Sequence, residues 1–142
     1  MDSREHVEAI LNKARFIQYL GIELVDFGPG WCDTRLAVAD MHLQQDGFVH
    51  AGVVATMADH TAGAAAGTQA RAGEVVLTVE FKINFLRPTV GEWLRCRAEV
   101  LRAGRQLTVT ESSVFACQGG AEKLVAKAMV TLAMVKSGNG SG

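Results

Sequence analysis

The nineteen residues from Ala51 to Gln69 read AGVVATMADHTAGAAAGTQ. Alanine dominates, which favours helix. The helix is small or apolar nearly all round, so it belongs inside the molecule rather than on an amphipathic surface. Gly52, Gly63 and Gly67 each cost helix stability of about 1 kcal/mol relative to alanine. Close packing is the expected offset, because a slim helix lets a sheet come near.

The flanking sequence supplies the sheet. Ahead of the helix, Val7, Ile10, Leu11 and Ala14 recur at helical spacing, with Asp2 or Ser3 as cap. A second short helix over 16–20 ends at Gly21. Two strands follow, at 22–27 and 32–39, around the turn signal Gly28-Pro29-Gly30. A polar loop over 41–49 leads into the central helix. In the stretch 75–85 every odd residue is apolar, from Val75 through Val79 and Phe81 to Phe85, with Thr78, Glu80, Lys82 and Asn84 opposite. Three further alternating strands lie around 94–100, 107–117 and 124–134, separated by Ala103-Gly104 and Gln118-Gly119-Gly120.

Two strands, a long buried helix and a four-strand meander make an α+β layer arrangement: six mainly antiparallel strands wrapped around a central helix. This order fits a hotdog fold. Residues 1–136 form the expected single domain, with 1–20 as its N-terminal helical segment and 137–142 (SGNGSG) as a flexible tail. One such sheet leaves an open edge and a cleft, so pairing of subunits is expected.

Composition narrows the partners. Fourteen Lys and Arg against fifteen Asp and Glu give a net charge of -1, without the surplus of positive charge that nucleic acid binding draws on. Asp59, His60 and Gln69 make 51–70 too polar for a membrane span. MDSREHVEAI carries no apolar run and does not read as a signal peptide. Cys32, Cys96 and Cys117 are widely spaced, with neither a disulfide framework nor a metal-ligand cluster. They read as reduced core thiols of a cytoplasmic protein.

Asp59 is the only Asp, Glu, Lys or Arg between Asp46 and Arg71. A carboxylate in the middle of this helix lies at a cleft, faces solvent, or is expensively buried at an interface. His60 follows it and so points about 100° away, as a structural side chain does. The helix start, Gly47-Phe48-Val49-His50-Ala51-Gly52, offers unpaired amides and a partial positive charge. Such amides can polarise a carbonyl and stabilise an oxyanion. The eight-residue step from Ala51 to Asp59 spans about 12 Å of helix axis, too far for both to reach one carbon. A two-fold dimer resolves this, with the helix start of one subunit facing Asp59 of the other.

Two motifs carry a resemblance. QQDGFVHAGVVATMADHTAGAAAG resembles the signature of hotdog thioesterases of the phenylacetate-pathway (PaaI-like) type, with Gly47, His50 and Asp59 in matching positions. Gln44 replaces the usual Asn, and Ala51 the first Gly after His. TVEFKINFLRP, residues 78–88, resembles the family's third strand. The resemblance implies an acyl-CoA thioesterase in which Asp59 activates water or attacks the thioester directly. It implies that the amide of Ala51, at the Ala51-Gly52 helix start, polarises the carbonyl and that His50 orients the thioester or the loop. Gln44, or its neighbour Gln45, would hold water or the carbonyl, and Thr78 would position the water. Arg87, Arg102 and Arg105 are candidates for the phosphates of coenzyme A, which enters only as part of the substrate; no separate cofactor or metal is implied. A homodimer, or a dimer of dimers, is the implied assembly. Two other readings remain at this stage: a hotdog dehydratase or hydratase, and a non-catalytic acyl-thioester-binding protein.

Overall fold

The computed structural model describes residues 3–137. Two helices come first, α1 (Ser3–Asn12) and α2 (Arg15–Leu20). Strands β1 (Glu23–Gly28) and β2 (Trp31–Ala37) follow, then a 3-10 turn at Asp40–His42 and the long helix α3 (Ala51–Gly67). Strands β3 (Glu74–Phe85), β4 (Trp93–Ala103), β5 (Leu107–Gln118) and β6 (Ala121–Lys136) complete the chain. The Asp2 cap and residues 138–142 of the tail lie outside the described residues.

All six strands form one antiparallel sheet in the order β1-β2-β4-β5-β6-β3. It curls around α3, in which Met57, Ala62, Ala64, Ala65 and Ala66 have no exposed surface. From the sheet, Leu36, Leu94, Cys96, Val114, Val130 and Leu132 close the other side of that core. Val7 and Leu11 of α1 cap it from above. This is the hotdog arrangement expected from the element order.

Two features depart from the sequence reading. First, β3 is not the opening strand of a four-strand meander. It crosses the sheet and pairs with β6 at the far edge, leaving β4, β5 and β6 as the meander. The crossover seats the loop that enters α3: the Val49 amide donates to the Thr89 carbonyl at 2.9 Å, and Val38 to Glu92 at 2.9 Å. Second, a β-bulge lies between Thr78 and Glu80. The extra residue reverses the parity of the strand. Thr78, Phe81, Ile83 and Phe85 therefore stand opposite Leu132, Val130, Ala128 and Ala126, all four buried against α3. Val75, Leu77 and Val79 are more than 40% exposed, so the unbroken apolar face drawn through odd residues does not exist.

The α3 glycines also divide. A Cβ on Gly67 would come within 2.7 Å of Ile10 Cδ1, and one on Gly52 within 3.0 Å of the His50 ring. A Cβ on Gly63 would meet only Leu132 Cδ2, at an ordinary 3.7 Å. Close packing thus accounts for Gly67 and Gly52 but not for Gly63. Gly63→Ala is expected to raise stability by about 0.5–1 kcal/mol, because it restores helix propensity without a clash. Denaturant titration checks this; a lower midpoint would mean that the helix cannot accept even a methyl on that face.

Cys32 and Cys96 are core thiols, and burial pushes both up to about 12. Un-ionised at neutral pH, they are not nucleophiles. Cys117 departs from the expectation of a core position. It sits half-buried near the end of β5 with its Sγ 3.4 Å from Glu122, because the inward parity of β5 runs through Val114 and Ala116.

Candidate active site

Helix α3 is fixed in rotation by polar bonds to the sheet. Thr61 and Thr34 hydroxyls lie 2.7 Å apart in the core, and Ser112 Oγ donates to the Ala58 carbonyl at 2.7 Å. With α3 held this way, successive residues point to different neighbours. Asp59 turns toward β3, where Thr78 Oγ1 donates to its Oδ1 at 2.7 Å. His60 turns toward α1, and its Nε2–H donates to the Ile10 carbonyl at 2.6 Å. Burial pushes the His60 imidazole below its ordinary 6.5, and the ring serves as a tether between two helices.

Asp59 is half-buried, at the mouth of a cavity of about 330 Å³ whose other walls include Ala14, Phe16, Ile17, Ala55 and Phe81. The carboxylate is therefore at a cleft. The aromatic and aliphatic walls were not foreseen from the sequence. Phe16 and Ile17 belong to the N-terminal segment, far away in the chain, and the inward position of Phe81 beside Thr78 depends on the bulge.

The helix start forms a second cluster. His50 is the N-cap of α3, and its Nδ1 accepts from the Gly52 amide at 2.8 Å. The Val53 and Val54 amides turn back to the His50 carbonyl. Among the described residues, the Ala51 amide alone in this first turn has no acceptor. His50 thus builds the helix start, and the Gly52 amide, counted with the site from the sequence, is already engaged. His42 supports this junction. It is 3% exposed, takes the Ala39 amide on Nδ1, donates from Nε2 to Leu20, and accepts the His50 amide on its carbonyl. Nothing in the local pattern separates His42 from an ordinary loop histidine.

Gln44 and Gln45 lie in the loop before α3. The Gln44 side-chain oxygen accepts from the Asp46 and Phe48 amides, and Gln45 Nε2 donates to Asp46 at 3.3 Å. Gly47, at φ +86°, supplies the left-handed residue of this turn. Gln44 therefore shapes the loop.

The structure does not gather the three candidate arginines. Arg102 and Arg105 line one cavity of about 540 Å³ at the β4–β5 hairpin, and Arg87 lines another of about 430 Å³ beside Lys123. Neither cavity includes Asp59. Among the described residues no three His, Cys, Asp or Glu side chains are grouped to hold a metal ion, and no helix is long and apolar enough to cross a membrane.

Comparison with known proteins agrees with this architecture. The family model described as the thioesterase superfamily matches residues 46–123, which include the helix start, Asp59 and Thr78. A crystal structure of a thioesterase family protein from Silicibacter pomeroyi superposes with a TM-score of 0.92 at 34% identity, covering 95% of this chain and 99% of that one. Human acyl-coenzyme A thioesterase 13 is 30% identical over 126 residues, 87% of this chain and 88% of that protein. The PaaI protein of the E. coli phenylacetic acid degradation operon shares the fold, with a TM-score of 0.82 at 20% identity over 95% of this chain and 94% of that one. The family-model match over more than half of the chain, together with relatives at 30% identity or more across most of its length, identifies the chain as a member of the thioesterase superfamily and a thioester hydrolase.

Proposed function

We propose that the protein hydrolyses acyl-CoA thioesters in a site shared by two copies of the chain. The observation that carries this reading is the Asp59–Thr78 pair at the mouth of an apolar cavity. Thr78 donates its proton to Oδ1, so its oxygen lone pairs are free to accept a hydrogen bond from water. Water held there is within reach of the carboxylate as general base. Asp59 takes the proton, the hydroxide adds to the thioester carbon, and the oxyanion is met by the Ala51 amide. Collapse of the tetrahedral intermediate expels the thiolate, which takes up a proton to leave carboxylic acid and free coenzyme A. Direct attack by Asp59 would instead expel the thiolate and form an anhydride, and water opening that anhydride at the Asp59 carbonyl would leave its labelled oxygen on Asp59 rather than in the product acid.

The pairing of copies follows from β3. It is a twelve-residue edge strand with Val75, Leu77 and Val79 exposed on one face and Phe81 and Phe85 on the other. An apolar edge of this length is a template for another strand. Along β3, Asp59 stands against Thr78 while Ala55 and Thr56 share a cavity with Phe81, so the helix start lies toward Phe85. Two-fold pairing of β3 with its copy sets that end beside Thr78 of the second subunit, bringing the Ala51 amide of one copy toward Asp59 of the other. The paired arginines Arg102 and Arg105, and Arg87 with Lys123, offer positive charge to the phosphates of coenzyme A.

The test is release of free thiol from short, aromatic and long acyl-CoAs, with sedimentation velocity on the same sample. Turnover by a dimer or tetramer is expected. Tight binding of every thioester with no thiol released would favour a binding protein instead, and a monomeric active species would contradict the shared site.

A further inference from the structure

We infer that Phe16 sets the acyl specificity of this site, restricting it to compact acyl groups, short-chain or single-ring. The inference rests on the proposed hydrolysis at Asp59. A thioester whose carbonyl lies at Asp59 must place its acyl group against the walls that the carboxylate shares, and those are mainly apolar, Ala14, Phe16, Ile17, Ala55 and Phe81, with Thr56 and His60 as the polar part. The cavity of about 330 Å³ is at the low end of the range for ligand sites, about 300–1,000 Å³.

Its depth is fixed. Ile17 is 2% exposed and cannot be moved without opening the core. The His60 bond to Ile10 ties the end of α1 to the same turn of α3 that carries Asp59, so the N-terminal segment cannot lift freely. Phe16 differs from Ile17. It lines the cavity, yet 61% of its surface is exposed, and Phe81, which lines the same cavity, is 43% exposed. The two rings are large apolar groups at an opening beside a carboxylate. A flat or short acyl group covers both, and aromatic faces pack well on such groups. A long chain exceeds this volume, and each methylene that the cavity cannot hold and that stays in water contributes nothing to transition-state binding.

Phe16→Ala and Phe16→Trp test this, with Tyr19→Ala as control. Tyr19 lies on the same helix, is 73% exposed and does not line the cavity. The readout is the ratio of kcat/KM for butyryl-CoA and benzoyl-CoA to that for palmitoyl-CoA. Phe16→Ala is expected to lower the ratio about tenfold or more, Phe16→Trp to raise it, and Tyr19→Ala to leave it unchanged. An unchanged ratio in both Phe16 variants overturns the inference while the hydrolase reading stands. Binding of S-butyl- and S-hexadecyl-coenzyme A, thioethers that cannot be hydrolysed, reads the pocket apart from the chemistry. If their relative affinities shift in the same direction while wild type releases no thiol from any thioester, the pocket stands and the hydrolase reading falls.

Discussion

Replacing Asp59 with Asn is expected to lower kcat by at least about 10²-fold, the lower range of general acid–base contributions, with little change in KM. The substitution preserves the size of the side chain, and Thr78 can still donate to the amide oxygen that replaces Oδ1. What disappears is the group proposed to remove a proton from water. That interaction exists in the transition state and not in the bound substrate, so the loss falls on kcat. The half-buried position of Asp59 makes a fold effect small, and an unchanged thermal midpoint in the variant confirms that the loss is chemical. Equal rates in the two proteins would remove Asp59 from the mechanism.

Replacing Ala51 with Pro is expected to have a comparably large effect by deleting a single backbone donor. Ala51 is the first residue of α3, the helical position proline accepts best, since its missing N–H has no helical acceptor there. His50 before it has φ −59° and ψ 134°, the extended conformation a residue preceding proline requires. The Ala51 amide has no acceptor among the described residues, so no folded-state bond is lost. The expected cost is the loss of one oxyanion donor, about 10²–10³ in kcat, with the helix intact by circular dichroism. Wild-type activity in this variant would move the oxyanion contact away from Ala51.

Much of this arrangement was legible in the sequence, for physical reasons. Small residues from Ala51 to Gly67 announce a buried helix because only a slim helix packs between a sheet and α1. Asp59 is conspicuous because a charge in such a segment needs a cleft. The order of strands was not legible. Alternation reports which face a residue occupies, not which strand is its neighbour, so the crossing of β3 to β6 left no local mark. The bulge after Thr78 was hidden for a related reason. Val75, Leu77 and Val79 continue the period of Phe81 and Ile83 even though they face the opposite way, because the apolar residues lie on the outward face before the bulge and on the inward face after it. The cavity walls were the least legible part. Phe16 and Asp59 come together only through the docking of α1 and α2 on α3, which depends on the buried Val7, Leu11 and Ile17 and on the His60 tether. Arg87, Arg102 and Arg105 stand out in the sequence only by charge, and charge carries no information about which cavity a side chain lines.

The shared site is tested most directly by mixing the two variants. Asp59→Asn and Ala51→Pro chains, co-expressed with different tags, yield mixed dimers that can be isolated by purification on both tags. If each site takes Asp59 from one copy and the Ala51 amide from the other, a mixed dimer holds one doubly defective site and one intact site. Its rate is then expected to recover to about half that of wild type, far above either variant alone. A mixed dimer no more active than its parents would mean that both groups act within one chain, and would contradict the account.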